Sequence, residues 1–400
     1  MQQVVRDILF MGVAAPLRLD SADDVLPLLS DVAKGWQYLT READPASNPF
    51  FTISGSSGES RLHCESHVEL RPAQLWDPVN AVCDAIASLA VALPLADTRL
   101  LCLHAAGVEI DGRLVVFPNV RRAGKSTLSV ALARAGYRIF SDDVVPVSFP
   151  LDGTPVGHAM GIAPRLRLPL PESLPADFRS WVETVPGPRN RQYHYLSLPR
   201  QPGHGERLAL GAFVLLDRQE GERADLVPVR PDIAMDALLH QNFTRDRHSG
   251  EVLEVIADAL AAVPVWQLTY SDLDEAVACL KAAFRETAAP VQASSTEERR
   301  FTPARLDEGP DLQMIKRVAQ RDGVVARWIG ETLYLADPEG RAIQRMDALA
   351  AAIWDMLDAP VTFDALEATL VEAYPDTPRE VIGSDLKALV ARLAEAGLVA

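Results

Sequence analysis

Two short segments of the chain combine residue types that can transfer phosphate: Gly124-Lys125-Ser126-Thr127 and Asp142-Asp143. A Gly-Lys-Ser loop that leads into a helix offers backbone N–H groups, an ammonium group and a hydroxyl ligand for Mg²⁺. Paired carboxylates supply a second metal ligand and a base that deprotonates the acceptor. The two segments together predict a phosphotransferase site for ATP and Mg²⁺.

The first half of the loop departs from the pattern G-x-x-x-x-G-K-[ST]. Position 119 holds Asn119 in place of glycine, and we expect this residue to adopt the left-handed conformation that asparagine tolerates. Arg121 and Arg122 place bulk and positive charge where the backbone approaches phosphate, so they either hold a triphosphate or block it. The predicted nucleotide-binding residues are Asn119, Arg121, Arg122, Ala123, Gly124, Lys125, Ser126 and Thr127.

The elements around these residues follow the order strand, loop, helix, strand, carboxylates. RLLCLHAAGVEI and RLVVF are strand-like runs joined by Asp111-Gly112, a strong hairpin signal because both turn positions need positive φ. STLSVALARAG predicts a helix that ends at Gly136, and YRIF predicts a strand that ends at the aspartates. Neighbouring side chains of a strand point to opposite faces, so one aspartate can approach a metal and the other an acceptor hydroxyl. Alternatively, the pair only caps a turn.

Composition restricts the class of protein. Four hundred residues indicate two or three domains, and a net charge of −16 argues against a broad nucleic-acid surface. The N-terminal apolar run is broken by Arg6 and Asp7, and we expect no membrane span. The cysteines lie far apart and form no CxxC pair, which predicts reduced thiols in a cytoplasmic protein: Cys64, Cys83, Cys102 and Cys279.

The segment LHAAGVEIDGRLVVFPNVRRAGKSTLSVALARAGYRIFSDDVVPV resembles the core of the HPr kinase/phosphorylase superfamily, whose fold is related to phosphoenolpyruvate carboxykinase. Looser similarity to HprK-related kinases extends through PRLRLP to about residue 285. The resemblance implies that Lys125 binds phosphate, that Ser126 and Asp142 bind Mg²⁺, and that Asp143 and His104 complete the catalytic set. Thr127 replaces the glutamate of true HPr kinases, so HPr is not the expected substrate.

Arg165 and Arg167 alternate in RLRL and can share one face of a strand. Guanidinium groups suit phosphate or carboxylate recognition, so both residues are candidate substrate contacts. A solvated edge strand explains the pattern equally well.

The C-terminal tail follows a Pro-, Ser- and charge-rich stretch that predicts a linker. VVARWIGETLYLAD predicts two strands, and three amphipathic helices follow, as in a small winged-helix module. The helices carry many acidic residues, which argues against DNA binding. The tail is similar over nearly its whole length to PqqD-like domains, the RiPP recognition elements, which implies capture of a leader peptide as an added strand. The candidate leader contacts are Val325, Arg327, Trp328, Leu386 and Leu389; alternatively the tail is a structural cap or a dimerisation module.

The expected fold is therefore α/β: a P-loop core like those of HPr kinase and phosphoenolpyruvate carboxykinase, between an N-terminal α/β region and a winged-helix tail. The predicted boundaries are residues 1–97 for the N-terminal region, 98–287 for the kinase domain, 288–304 for the linker and 305–400 for the tail. The expected function is ATP- and Mg²⁺-dependent phosphorylation of a Ser or Thr hydroxyl in a ribosomally made precursor peptide, by a chain that can form a homo-oligomer. A non-catalytic peptide scaffold and a small-molecule kinase with a regulatory tail remain as alternatives.

Overall fold

The computed structural model describes residues 5–55, 60–119, 123–151, 153–244, 246–284, 297–305 and 317–400. The chain divides into two compact units. The first consists of Met1–Val229, Ala237–Arg245 and Ala262–Arg300, and the second of Arg230–Asp236, Asp246–Ala261 and Phe301–Ala400. Two stretches of the range expected to form one kinase domain, 230–236 and 246–261, thus belong to the second unit.

The first unit begins with a six-stranded sheet of order β3-β1-β2-β4-β5-β6. Its elements are β1 (Val5–Phe10), β2 (Leu17–Asp20), α1 (Leu26–Val32), β3 (Tyr38–Glu42), β4 (Phe51–Ser54), β5 (Leu62–Ser66), β6 (Gln74–Trp76) and α2 (Pro78–Ala96). The Asp77 side chain caps α2 by accepting from the N–H groups of Val79 and Asn80. Both helices match apolar periodicity in the sequence, whereas the sheet was not predicted.

A nine-stranded sheet forms the rest of the first unit's framework, with the order β10-β8-β9-β15-β12-β11-β7 and with β17 and β16 added beside β15. The elements from residue 101 onward are β7 (Leu101–Leu103), β8 (Ala106–Ile110), β9 (Arg113–Phe117), α3 (Lys125–Arg134), β10 (Arg138–Ser141), β11 (Val145–Ser148), β12 (Val156–His158), β13 (Arg165–Arg167), α4 (Ala176–Thr184), β14 (Tyr193–Tyr195), β15 (Arg207–Arg218), β16 (Asp225–Pro228), α5 (Pro231–Gln241), α6 (Ser249–Ala262), β17 (Val265–Tyr270) and α7 (Leu273–Ala283). α5 has residues in both units, and α6 lies in the second except for its last residue.

The predicted hairpin, helix and strand around the phosphate loop are confirmed. Asp111 and Gly112 both have positive φ, 49° and 74°, in the turn between β8 and β9. α3 ends just before Gly136, whose φ is 98°, and β10 leads directly to the aspartates. The run RLLCLHAAGVEI is not one strand, because it divides into β7, which pairs with β11, and β8, which pairs with β9.

The Pro-rich residues 150–205 contain regular elements as well as loops. β13 pairs with β14 in antiparallel register, and α4 lies between them in sequence. The central residues of these two short strands, Leu166 and His194, are each 1% exposed. The triplets Arg-Leu-Arg and Tyr-His-Tyr therefore form strands despite the prolines around them, because the central residue of each triplet faces a core.

Helix α2 bears on the expectation of no membrane-spanning segment. Among the described residues it is the one helix whose length and composition would suffice to cross a membrane, with a mean hydropathy of 1.8 over the apolar window. Of that window, 56% is buried inside the protein, and Val82 and Leu89 belong to the core beneath the six-stranded sheet. A core helix passes the same test of length and composition.

Besides the first part of α5 and most of α6, the second unit contains a three-stranded sheet of order β18-β19-β20 and three further helices. These elements are β18 (Val325–Ile329), β19 (Thr332–Ala336), β20 (Ile343–Met346), α8 (Ala348–Met356), α9 (Phe363–Ala373) and α10 (Arg379–Glu395). The predicted Thr362 cap accepts from the N–H of Ala365, and Gly397 follows α10 with a φ of 70°. β20 was not predicted, since its four residues carry no clear alternation. The expected class, mixed α/β with a small strand-and-helix tail, is confirmed.

Residues 297–300 of the predicted linker belong to the first unit. Glu298 pairs with Pro150 through an isolated bridge, and its side chain, 5% exposed, forms ion pairs with Arg99 and Arg207. Ser148 also donates to this carboxylate, at 2.6 Å. The predicted linker therefore includes one glutamate whose side chain is buried and ion-paired.

Candidate functional site

The N-terminus of α3 lies beside the aspartate pair. Ser126 Oγ donates to Asp142 Oδ1 at 2.9 Å, which joins the loop to the end of β10. Gly124 precedes the helix with a φ of 93°, and a Cβ there would stand 3.1 Å from the Tyr270 hydroxyl, so both backbone and space require glycine. The backbone N–H groups of this first turn and the helix dipole favour an anion at this position.

Lys125 is nearly buried, with 6% of its surface exposed. Its ammonium group donates to the carbonyl oxygen of Asn119, six residues back along the loop. The lysine therefore connects the first residue of α3 with Asn119, just after β9, and places its positive charge beside the start of α3.

Asp142 is buried, with 9% of its surface exposed. Besides the Ser126 hydroxyl it accepts the backbone N–H of Arg165, at 3.1 Å from Oδ2. Burial, and then the neighbouring charge of Asp143, raise the pKa of Asp142 to about 6. A buried carboxylate next to a second carboxylate is well suited to bind a cation, because the cation would offset both the burial and the repulsion between the two negative charges.

Asp143 has a φ of 65°, a strained conformation for a residue with a Cβ. Its Oδ2 accepts from the Arg165 guanidinium at 2.5 Å, and its Oδ1 lies 3.9 Å from His104 Nε2. Residues held in the left-handed region cluster at functional sites, because surrounding contacts must hold them there. The structure thus brings together the predicted residues Lys125, Ser126, Asp142, Asp143 and His104, and adds Arg165.

Three further residues, which the sequence did not reveal as part of the site, contact the Arg165 guanidinium. The Arg165 guanidinium lies 4.5 Å from the centre of the Tyr193 ring, with Tyr195 at 5.9 Å, and donates to Cys83 Sγ. Cys83 belongs to α2 and the tyrosines to β14, so the contacts join parts of the chain about 110 residues apart. A partial signal was available in Y-H-Y, whose alternation places both tyrosines on the same side of a strand.

Asn119 does not serve as a substitute for a left-handed glycine. It is absent from the four non-glycine residues with positive φ in the described chain, and its side chain forms two hydrogen bonds with the backbone of Leu216 in β15. The amide therefore continues the sheet by imitating a backbone unit. In the orientation that satisfies its own hydrogen bonds, the Gln241 amide donates to the Asn119 carbonyl at 2.9 Å.

The remaining predicted loop and substrate residues divide into three groups. Arg121 and Arg122 lie outside the described residues. Ala123 and Thr127 flank the Gly-Lys-Ser segment and are partly exposed. Arg167 is exposed two residues beyond Arg165, and no contact joins it to the aspartates.

The candidate leader site lies in the second unit. β18 is an edge strand whose Ala326, Arg327 and Trp328 are exposed, with Trp328 at 53%. Arg327 forms an ion pair with Glu254 of α6 at 2.8 Å, and Val325 is half-buried.

The two predicted leader contacts on α10 have a different environment. Leu386 and Leu389 are 2% and 8% exposed and belong to the core formed with α8 and α9. They support α10 from inside because the apolar stripe of this helix faces its neighbours.

Comparison with known proteins supports the assignment of the tail. Residues 333–399 match the family model described as coenzyme PQQ synthesis protein D (PqqD). No curated protein matches the chain. Among solved structures, the chain is similar to the HPr(Ser) kinase/phosphatase from Coxiella burnetii, with 11% identity, coverage of 46% of this chain and 89% of that one, and a TM-score of 0.23. The functional argument therefore rests on the site itself. The expectation for the tail is confirmed: residues 333–399 form a PqqD domain at the C-terminal end of a mixed α/β chain.

Proposed function

We propose that the chain is an ATP-dependent kinase that phosphorylates a Ser or Thr hydroxyl of a ribosomally made precursor peptide, held through its leader by the PqqD domain. The observation that carries the kinase assignment is the 2.9 Å hydrogen bond from Ser126 at the start of α3 to Asp142 of the acid pair. It joins the predicted phosphate loop and the predicted acids, which are sixteen residues apart in sequence, within one site.

The chemistry of the donor set fits ATP and Mg²⁺. A serine hydroxyl and the buried carboxylate of Asp142 are oxygen ligands of the kind that Mg²⁺ prefers. Lys125 and the first turn of α3 offer a positive charge and N–H donors to phosphate oxygens. Bound Mg²⁺ would supply neutralisation of the phosphate charge, as in other phosphoryl transfers.

The protein's own groups can complete the transfer. The acceptor oxygen forms a bond to the γ-phosphorus as the bond from that phosphorus to the bridging oxygen breaks, and ADP leaves with the electron pair. The hydroxyl proton passes to Asp143 Oδ1, because Arg165 already occupies Oδ2. Lys125 would stabilise the negative charge of the transferred phosphoryl group. His104 lies on the Oδ1 side of Asp143, where it would limit the access of water.

The PqqD domain supplies the peptide assignment. β18, which directly precedes the matched residues, is an edge strand of the kind to which a peptide strand can be added, and Trp328 offers an apolar surface beside it. A captured leader would raise the local concentration of the attached core peptide at the kinase site. On this proposal the protein acts where its precursor is made, in the cytoplasm.

One observation favours a second candidate, a non-catalytic peptide scaffold. The charges of Lys125 and Asp143 are satisfied internally, by the Asn119 carbonyl and by Arg165. A site that no longer binds nucleotide needs such internal partners.

A phosphotransfer assay separates the two. The short peptides encoded beside this protein's gene are incubated with the full chain, ATP and Mg²⁺, with the leader intact or removed, and analysed by mass spectrometry. We expect one phosphate to be added to a Ser or Thr, faster with the leader than without it, and not by Lys125→Ala. Peptide binding without phosphate transfer by the wild type would favour the scaffold.

A further inference from the structure

A cavity of about 680 Å³ opens beside β13 in the first unit. Its volume is typical of ligand clefts, which span roughly 300–1,000 Å³. The lining residues are Leu168, Pro169, Leu170, Ala176, Arg179, Ser180, Glu183, Arg189, Asn190 and Arg191. Neither the nucleotide site nor the PqqD domain includes any of them.

The charge of this cavity is opposite to that of the protein. Three guanidinium groups and one carboxylate line it, whereas the whole chain carries 55 acidic and 39 basic residues. Arg189 forms an ion pair with Glu183 at 2.7 Å, and both side chains are about half exposed. Arg191 is exposed, and no ion pair with a described residue neutralises it. The cavity therefore attracts anions locally.

The wall that carries Arg189 and Arg191 is held in place. The Asn190 side chain donates to Asp77, the residue that caps α2, and accepts from the backbone N–H groups of Gln192 and Tyr193, each at 2.8 Å. Leu168 in turn donates its N–H to the Gln192 carbonyl. A loop fixed in this way loses little conformational freedom on binding, which is a property of preformed sites.

The cavity lies close to the acid pair along the chain. Asp142 accepts the N–H of Arg165 at the start of β13, and the lining begins at Leu168, the residue after this strand. At about 3.3 Å per residue, the first lining residue lies within about 10 Å of Arg165. An extended peptide whose hydroxyl lies at Asp143 would reach the cavity about three residues away.

We propose that this cavity binds a carboxylate of the acceptor peptide, about three residues from the phosphorylated hydroxyl. The inference rests on the proposed function, from which it takes the peptide and its direction of approach. The guanidinium groups of Arg189 and Arg191 recognise the carboxylate, and the apolar side chains of Leu168, Pro169 and Leu170 contact the peptide backbone and its aliphatic groups. The carboxylate belongs to an Asp or Glu side chain or to the C-terminus of the peptide.

Fluorescence polarisation with three labelled peptides tests the assignment on the full chain without nucleotide. The first, GSGGDEDG, and the second, GSGGNQNG, have amidated C-termini, and the third, GSGGN, has a free C-terminus three residues after its serine. We expect the first to bind at least fivefold more tightly than the second at low ionic strength if side chains supply the carboxylate. Tighter binding of only the third peptide assigns the carboxylate to the C-terminus.

The variants Arg189→Ala and Arg191→Ala should each remove most of this preference, and Arg191→Lys should restore part of it. Arg223→Ala, which removes an exposed arginine from another loop of the same unit, should leave it unchanged. Equal binding of all three peptides by the wild type, or a full preference in Arg191→Ala, would overturn the inference. Because no phosphate is transferred in this assay, its failure leaves the kinase proposal intact, whereas a charge preference without any phosphotransfer activity would contradict the kinase alone.

Discussion

Asp143 combines a strained backbone with two different charged or polar neighbours. Its φ of 65°, the ion pair to Arg165 and the nearby His104 hold one carboxylate oxygen in a fixed direction. A turn residue without a further role does not need this strain, which costs on the order of 1–3 kcal/mol. We interpret the strain as the means by which the fold aims Oδ1 at the acceptor.

Replacing Asp143 by Asn tests this role. The amide keeps the shape of the side chain but cannot accept the acceptor proton, so we expect the rate of phosphotransfer to fall by about 10² to 10⁴. Steady-state kinetics with the acceptor peptide as substrate measure this change. Asp225→Asn, on an exposed strand, serves as the matched control. Unchanged kcat in Asp143→Asn would show that another group accepts the proton.

Asn119 acts as a structural residue of the phosphate loop. Its two hydrogen bonds with the Leu216 backbone, at 3.0 and 2.7 Å, are lost in Asn119→Ala, which leaves two backbone groups without partners. We expect the free energy of unfolding to fall by about 1–3 kcal/mol, measured by urea denaturation. Asn119→Gly, which would be neutral if the position required a left-handed glycine, should be destabilised to at least the same extent.

His204 links the stability of the first unit to pH. Its ring stacks on Trp36 with 3.6 Å between ring centres, and burial lowers its pKa from 6.5 to about 4. Between these values the unfolded chain binds the proton more tightly, so the free energy of unfolding should decrease as pH falls from about 6.5 to 4. His158, with a similarly lowered pKa, adds to the same slope.

The variant His204→Phe keeps an aromatic ring against Trp36 and removes the titration. Urea denaturation at pH 7 and pH 5 should therefore show a smaller loss of stability in the variant than in the wild type. An identical loss in both proteins would assign the pH dependence to other groups.

At the scale of elements, the strand β18 is an exposed edge strand that directly precedes the residues matched to PqqD. Trp328→Ala removes its exposed apolar side chain, and we expect the affinity for a leader peptide to fall about tenfold or more, as at other aromatic contact residues. Isothermal titration with the leader measures the change. Leu39→Ala, which removes an exposed leucine from the first unit, is the control. Full affinity in Trp328→Ala would point to the opposite edge, β20.

The sequence predicted elements well where local signals were strong. The Asp111-Gly112 hairpin, α3 with its Gly136 end, and the helices of the tail follow from turn residues and apolar periodicity. β20 and the N-terminal sheet escaped prediction, because short strands depend on partners that are distant in sequence. Arg165 was recognised as a candidate, yet its pairing with Asp143 and Tyr193 follows only from the fold.

The two leucines of α10, Leu386 and Leu389, show the same difference between what the sequence predicts and what only the fold determines. They were predicted as leader contacts, and sequence alone gave no means to decide whether a peptide or the domain's own helices cover their apolar face. The structure shows that α8 and α9 cover it, with Trp354 and Leu366 in the same core. Of the predicted leader contacts, Arg327 and Trp328 of β18 are the exposed ones.

At the scale of the whole molecule, the chain joins a candidate phosphotransfer site to a PqqD domain. The account requires each to bind its own ligand: ATP and Mg²⁺ at Lys125, Ser126 and Asp142, and a leader at β18. Helix α6 contributes Glu254, which pairs with Arg327 of β18, so most of this helix belongs structurally with the second unit. Loss of nucleotide binding would leave only the peptide role.

The most direct test is isothermal titration of the full chain with ATP in the presence of Mg²⁺, with and without a leader peptide, for the wild type and Lys125→Ala. The account predicts saturable binding of one nucleotide per chain by the wild type and an affinity at least tenfold lower in Lys125→Ala. No binding by the wild type in either condition, or equal affinity in the two proteins, would contradict it.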